Sequence, residues 1–325
     1  MKAIVTGGAG FIGSHLVEKL ATEGIDVVVV DNFEVGREKN YIKRSNTSFV
    51  HCDISNQKEL LINTLKDADT VYHLAARADV VPSIELPERY FEVNVTGTKN
   101  VMEAARINNV KTVVYAASSS CYGIPDEYPT KETAELRPQY PYALTKCLGE
   151  QLALHWGKVY NIKVVSVRFF NVYGTRARTS GTYGAVFGVF LAQKIKGLPF
   201  TIVGDGEQTR DFTYVSDIAN AIMIAGKEGK TGEIYNIGSG ETVSINKIVE
   251  LLDGKSVHIP KRPGEPDCTY ADITKITSQT SWKPRVKIED GIKTMLENID
   301  YWQDAPVWDV SSIANATKSW FKYMS

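Results

Sequence analysis

Tyr142 and Lys146 stand four residues apart in Tyr-Ala-Leu-Thr-Lys, a spacing that puts a phenol and an ammonium on one face of a helix. A tyrosine is a weak base at its ordinary pKa of about 10. A cation beside it favours the phenolate and moves it toward the strength a general base needs near neutral pH. The same spacing arises in many solvent-facing helices. The pair therefore gains meaning only from what the rest of the chain builds around it.

The opening stretch supplies that setting. Lys2-Ala3-Ile4-Val5 reads as a buried strand, and Thr6-Gly7-Gly8-Ala9-Gly10-Phe11-Ile12-Gly13 follows as a glycine turn. An amphipathic helix is predicted from Ser14 to Glu23, then a second strand Val27–Val30 that ends on Asp31. Strand, glycine turn, helix and strand closed by an acid is the order a dinucleotide site needs. Gly7 permits the tight turn and Gly10 lets backbone approach a pyrophosphate. Gly13 lets the helix pack on the sheet, and the free N–H groups of the helix start receive phosphate oxygens. An oxidised nicotinamide would add a second positive charge near Tyr142.

The elements between these motifs alternate. Strands are expected at Ser48–Cys52, Thr70–Ala76, Val113–Ala117 and Val164–Phe169, with helices at Asn56–Leu65, Pro87–Asn108 and Tyr142–Tyr160. This rhythm predicts an α/β fold: a Rossmann-like doubly wound parallel sheet with ligands at the carboxyl ends of its strands. Beyond Gly174 the rhythm changes. Thr175 to Tyr183 reads as a ligand-clamping loop, Ala185–Lys196 and Val215–Lys227 as helices, and Phe200–Val203 and Glu233–Ile237 as strands. A dinucleotide-binding domain over 1–174 is expected, with segments returning to it near 213–238, and a smaller interleaved α/β substrate-binding domain over 175–325.

Composition narrows the class. The 325 residues are 43% hydrophobic and 23% charged with a net charge of −1, which leaves no electrostatic footprint for nucleic acid or an anionic membrane. No apolar run approaches a membrane span of roughly 20 residues. The opening residues run straight into the glycine turn and do not read as a leader, so a cytoplasmic location is expected. Cys52, Cys121, Cys147 and Cys268 form no CxxC pair and the histidines no HxxxH pair, so no metal site is expected.

Several motifs now occur together: the glycine turn, Tyr142/Lys146, His73-Leu74-Ala75-Ala76, Asn94-Val95-Thr96-Gly97-Thr98 and Arg168-Phe169-Phe170-Asn171-Val172-Tyr173-Gly174. Together they resemble the extended short-chain dehydrogenase/reductases. Gly204-Asp205-Gly206-Glu207-Gln208-Thr209-Arg210-Asp211-Phe212 is similar to their nucleotide-sugar epimerase/dehydratase branch. The resemblance implies NAD as cofactor. Gly7, Gly10, Phe11, Ile12 and Gly13 would hold its pyrophosphate, with Asp31 and Asn32 at the adenosine ribose, where Asp31 disfavours a 2′-phosphate. Asp53 and Ile54 would flank the adenine, and Leu74, Ala75 and Ala76 would line the nicotinamide half. Asn94 would buttress the site, Phe169 would pack near the nicotinamide, and Tyr142 and Lys146 would reach its ribose.

The same resemblance makes Ser118, Tyr142 and Lys146 the catalytic set, with Ser118 on the sugar hydroxyl under attack. Sugar 4,6-dehydratases of the family carry Asp and Glu at the next two positions, where this chain has Ser119 and Ser120. Serine cannot do that proton work at neutral pH, so epimerisation is expected. For the substrate, the resemblance implies Ser118, Ser119 and Tyr142 at the sugar and Asn171, Arg210 and Arg262 on the diphosphate. Glu265 is implied at the uridine ribose and Thr269 as a size gate near C2. Thr269 is small, so an acetamido group should fit. The expected reaction is NAD-dependent 4-epimerisation of a UDP-sugar: UDP-N-acetylglucosamine with UDP-N-acetylgalactosamine, and UDP-glucose with UDP-galactose as a further pair. The alternatives are a UDP-glucuronate 4-epimerase, a 4,6-dehydratase, and a non-catalytic NAD-binding scaffold. Asp79 departs from the family pattern, and the segment from Tyr301 matches no motif. The helices 87–108 and 142–160 resemble those that pair in family dimers, so a homodimer is expected.

Overall fold

A computed structural model of the chain describes residues 1–177 and 186–324. In chain order the first half contains Lys2–Thr6 (β1), Phe11–Thr22 (α1), Asp26–Asp31 (β2), Thr47–His51 (β3), Lys58–Thr64 (α2) and Thr70–His73 (β4). It continues with Val80–Glu85 (α3), Pro87–Phe91 (α4), Gly97–Ile107 (α5), Thr112–Ser118 (β5), Pro141–Tyr160 (α6), Lys163–Phe169 (β6) and Asn171–Tyr173 (β7). The second half contains Val186–Ile195 (α7), Phe200–Val203 (β8), Thr209–Arg210 (β9), Phe212–Tyr214 (β10), Val215–Glu228 (α8), Ile234–Ile237 (β11) and Val243–Ser244 (β12). Ile245–Leu252 (α9), Ser256–Ile259 (β13), Cys268–Thr269 (β14), Thr274–Gln279 (α10), Ile288–Glu297 (α11), Val310–Ala316 (α12) and Lys318–Tyr323 (α13) complete it.

Seven parallel strands form the main sheet in the order β3-β2-β1-β4-β5-β6-β11. The order reverses between β1 and β4, which opens a crevice at the carboxyl ends of both. Strands buried on both faces need apolar cover on both. Leu16, Leu20, Ile218, Ile222 and Trp282 cover one face. Leu61, Val101, Met102, Ala105 and Ala153 cover the other. β11 reaches the sheet only after the chain has built β7 to β10, so the second half is threaded through the first. A separate core of Phe187, Phe190, Phe200, Phe212, Met295 and Trp302 holds the smaller lobe. There β8 pairs with β13, β10 with β7, and β9 lies between β12 and β14.

Three boundaries differ most from expectation. The first helix begins at Phe11, not Ser14, because Gly10 is extended and its carbonyl already accepts Ser14 N–H at 3.0 Å. Strand β4 stops at His73, so Leu74–Ala76 is loop. The helix expected over 87–108 is interrupted by a π turn at Glu92–Thr96, in which Asn94 is buried. Of the expected clamping loop, residues 178–183 lie outside the described residues, as does Ala185 of the expected helix.

Candidate active site

One cavity of about 690 Å³ runs along the crevice and into the smaller lobe. At its cofactor end the glycine turn fits backbone against backbone. A Cβ at Gly7, whose φ is +71°, would lie 2.7 Å from Ala75 N, and one at Gly13 would collide with the Gly7 carbonyl. Phe11, Ile12 and Gly13 form the first helical turn and line the cavity, so their N–H groups are not used within the helix. Asp31 ends β2 and accepts Ala9 N–H at 3.0 Å and Phe33 N–H at 2.8 Å. Burial nonetheless holds its carboxyl above the ordinary value. A Cβ at Gly36 would sit 2.7 Å from the same carboxylate, so that glycine keeps the space above Asp31 open. Asp53 binds Ser55 Oγ at 2.6 Å and Arg89 at 3.1 Å. Arg89 in turn meets Glu34 at 2.8 Å. Three carboxylates therefore border this end.

Ser118 closes β5, while Tyr142 and Lys146 lie on α6, which starts with extended Tyr140 and Pro141 at its first turn. Ser118 Oγ lies 2.8 Å from Ser120 Oγ, and its hydroxyl, near the Tyr142 phenol, favours the phenolate. Lys146 is 4% exposed, its ammonium 4.4 Å from the Tyr115 ring centroid. One expectation is corrected here. Burial pushes the Tyr142 phenol up to about 12, with the Ser118 hydroxyl opposing it. The Lys146 ammonium is itself brought down to about 8 by burial. In the chain alone desolvation dominates, and an added positive charge beside Tyr142 would favour its phenolate.

Asn94 is also placed differently from the cofactor contacts. It is 1% exposed and lies behind the cavity wall. Its Oδ1 accepts Arg77 N–H at 2.8 Å, and its amide donates to Arg77 O at 3.0 Å and Thr145 Oγ1 at 3.0 Å. It ties the loop after β4 to the helix that carries Tyr142. His73 continues this scaffold. Thr98 Oγ1 donates to Asn94 O at 2.6 Å and so accepts from His73 Nε2 at 3.0 Å; His73 Nδ1 then accepts from Thr6 Oγ1 at 2.7 Å. Burial, then the Lys146 cation, brings the imidazole down to about 3. A group neutral in the fold but protonated when unfolded stabilises above its unfolded pKa of about 6.5, and that contribution is lost as pH falls from there toward the folded value. Urea titrations at about pH 7 and about pH 4 should show a large fall in midpoint for the parent and a smaller one for His73→Gln.

At the substrate end, Thr269 Oγ1 donates to Asn171 Oδ1 at 2.7 Å, which leaves the amide nitrogen as the group Asn171 offers to the cavity. Arg210 and Arg262 face each other across Glu265. Its Oε1 lies 3.5 Å from Arg210 Nη2 and its Oε2 3.3 Å from Arg262 Nε. Glu265, expected at the uridine ribose, thus also holds two like charges together in one clamp. All the expected site residues except Asn94 line this one cavity. Motif reading missed Tyr140, Trp308 and Trp320, which also line it. The C-terminal tryptophans belong to a stretch without a motif and carried no signal beyond their size.

The NAD dependent epimerase/dehydratase family matches residues 3–238. The chain belongs to that family. It is 36% identical over 300 residues to a putative UDP-glucose 4-epimerase of Methanocaldococcus jannaschii, covering 90% of this chain and 96% of that one. Its fold superposes on a UDP-N-acetylglucosamine 4-epimerase of Methanobrevibacter ruminantium, solved with UDP-N-acetylmuramic acid, with a TM-score of 0.86 and 32% identity, covering 91% and 98% of the two chains. A Thermus thermophilus UDP-glucose 4-epimerase in complex with NAD gives 0.83 and 34%, covering 94% and 100%. Relatives named as decarboxylases and dehydratases also match.

As an NAD-dependent family member the chain needs room for that cofactor, and the residues fit it. Gly7 and Gly13 let the turn close backbone on backbone, so that the start of α1 borders the cavity where a pyrophosphate would lie, and the carboxylates at Asp31, Glu34 and Asp53 leave no welcome for a 2′-phosphate. Among the described residues no helix is long and apolar enough to cross a membrane.

Proposed function

We propose that this protein is a UDP-sugar 4-epimerase whose main pair is UDP-N-acetylglucosamine and UDP-N-acetylgalactosamine, with UDP-glucose and UDP-galactose as a further pair. The observation that carries the reading is that Ser118 and Tyr142 line one cavity, with Ser119 and Ser120 as the next two residues on its wall. A phenol–hydroxyl pair can move the proton of a sugar hydroxyl. Dehydration also needs an acid and a base beside C5 and C6, and these serines supply neither.

Ser118 orients the 4-hydroxyl, and Tyr142 as phenolate takes its proton. NAD, when bound, supplies the hydride acceptor and the positive charge that favours the phenolate. Arg210, Arg262 and Asn171 keep the diphosphate fixed while the 4-keto sugar turns about its link to it, and Tyr142 returns the proton to the opposite alcohol. A firm hold on phosphate with a loose hold on sugar is what that turn requires. Phe91, Ile107, Leu144 and Val159 expose apolar side chains on α4, α5 and α6, which supports a homodimer through these helices; sedimentation as a monomer at micromolar concentration would remove that part.

NMR of protein incubated with UDP-N-acetylglucosamine should show the galacto epimer. A 4-keto-6-deoxy product, or turnover of UDP-glucuronate alone, would overturn the proposal. The substrate assignment has its own test in Thr269→Tyr. Overfilling a fitted site costs about 1–3 kcal/mol. Conversion of the acetamido pair should therefore fall about 10- to 100-fold relative to UDP-glucose. Equal losses for both pairs would show that Thr269 does not face the C2 substituent.

A further inference from the structure

The C-terminal segment from Tyr301 completes the substrate end of the cavity. Trp320 on α13 is 5% exposed, and its indole Nε1 donates to Pro263 O at 2.7 Å. The neighbouring Ser319 Oγ donates to Glu85 on α3 at 2.8 Å. The last helix therefore joins the loop wall after β4 to the 262–266 wall of the smaller lobe. Trp320 also completes a continuous row of rings. Tyr142 stacks on Tyr140 with centroids 6.4 Å apart and planes 8° apart; Tyr140 meets Trp320 at 6.0 Å; and the Arg262 guanidinium lies 5.5 Å from the Trp320 ring centroid. All four side chains line the cavity.

We infer that Trp320 is a positioning residue for the nucleotide sugar: it holds Arg262 in place for the diphosphate and, with Tyr140, whose ring is tilted 49° to it, presents an aromatic wall to the sugar. The inference rests on the 4-epimerase reading. A guanidinium over an indole face is restrained in position without losing its N–H donors, so Arg262 keeps its fork for phosphate oxygens. Aromatic faces give contact without directional hydrogen bonds. A sugar that must be held in two orientations about one fixed diphosphate is served by such a wall, whereas polar side chains there would favour one orientation.

The test uses NAD-loaded full-length protein and three variants, Trp320→Ala, Trp320→Leu and Trp320→Phe. Leucine keeps apolar bulk and lacks a ring, so it separates packing from the role proposed. Calorimetric titration with UDP should show affinity about tenfold weaker in the alanine and leucine variants and within about threefold of the parent in the phenylalanine variant. KM for the UDP-sugar should rise by a similar factor, with kcat changed less. Parental UDP affinity in Trp320→Leu would overturn the inference, as would equal weakening in Trp320→Leu and Trp320→Phe. UDP binding that depends on the ring in a protein that epimerises nothing would sink the reaction and leave the positioning role standing. An active epimerase indifferent to Trp320→Leu would sink this inference alone.

Discussion

Tyr142→Phe should lower kcat by roughly 10²- to 10⁴-fold, the range for loss of a positioned proton-transfer group, while KM stays within about threefold. The substitution removes one oxygen and little else. The ring stacks on Tyr140 and meets Tyr90 edge to face at 6.5 Å, and phenylalanine keeps both contacts. What is lost is the phenol hydroxyl, whose ionised form Ser118 favours. The direction of its pKa makes the effect sharper. With burial holding the phenol up at about 12 in the chain alone, the phenolate is scarce near neutral pH until a cation arrives. Ultraviolet difference titration should show a tyrosine ionising well above pH 10 in protein freed of NAD, moving down when NAD is restored, and absent in Tyr142→Phe. Retention of more than about a tenth of the parental kcat would mean another group moves the proton.

The parts of this site legible in the sequence are those fixed by local chain geometry. The turn from Gly7 to Gly13 works because Gly7 and Gly13 cannot carry a Cβ where the backbone goes, and spacing alone points to them. Tyr142 and Lys146 share a helix face by the same local logic, and strand–helix alternation implied the doubly wound sheet that is observed. The parts that were not legible depend on residues far apart in the chain. The π turn at Glu92–Thr96 accompanies the Asn94 bonds to Arg77 and Thr145, which no window of sequence contains. The direction of the Tyr142 shift follows from how deeply the folded protein buries the phenol, and motif reading, which sees the lysine and not the burial, gives the opposite sign. Trp320 reaches the cavity only because α13 docks on Pro263 and Glu85. Motifs thus identify the groups that touch the reaction more readily than those that hold them.

Arg168 is such a holding group, and Arg168→Met should cost about 3–5 kcal/mol, the penalty for stranding one member of a buried ion pair. The Arg168 and Glu150 side chains are 3% and 1% exposed. Glu150 Oε2 accepts Arg168 Nε at 3.0 Å and Ser166 Oγ at 2.7 Å, and the guanidinium also lies 4.8 Å from the Tyr122 ring centroid. Burial opposes the charge on Arg168, yet the bonds to Glu150 win and hold the guanidinium above its ordinary value. The pair fastens β6, which leads into Asn171, to α6, which carries Tyr142 and Lys146. Methionine fills comparable space but leaves the Glu150 carboxylate enclosed without its cation. Adding Glu150→Gln removes that charge and keeps an acceptor for Ser166 Oγ. The double variant should therefore be more stable than Arg168→Met alone, although it departs further from the parent. Denaturant midpoints across the four-protein cycle read the coupling directly. Additive losses would mean that the two charges are solvated independently. A double variant that regains stability but not kcat would mean that the ion pair also sets the angle at which α6 presents Tyr142 to Ser118.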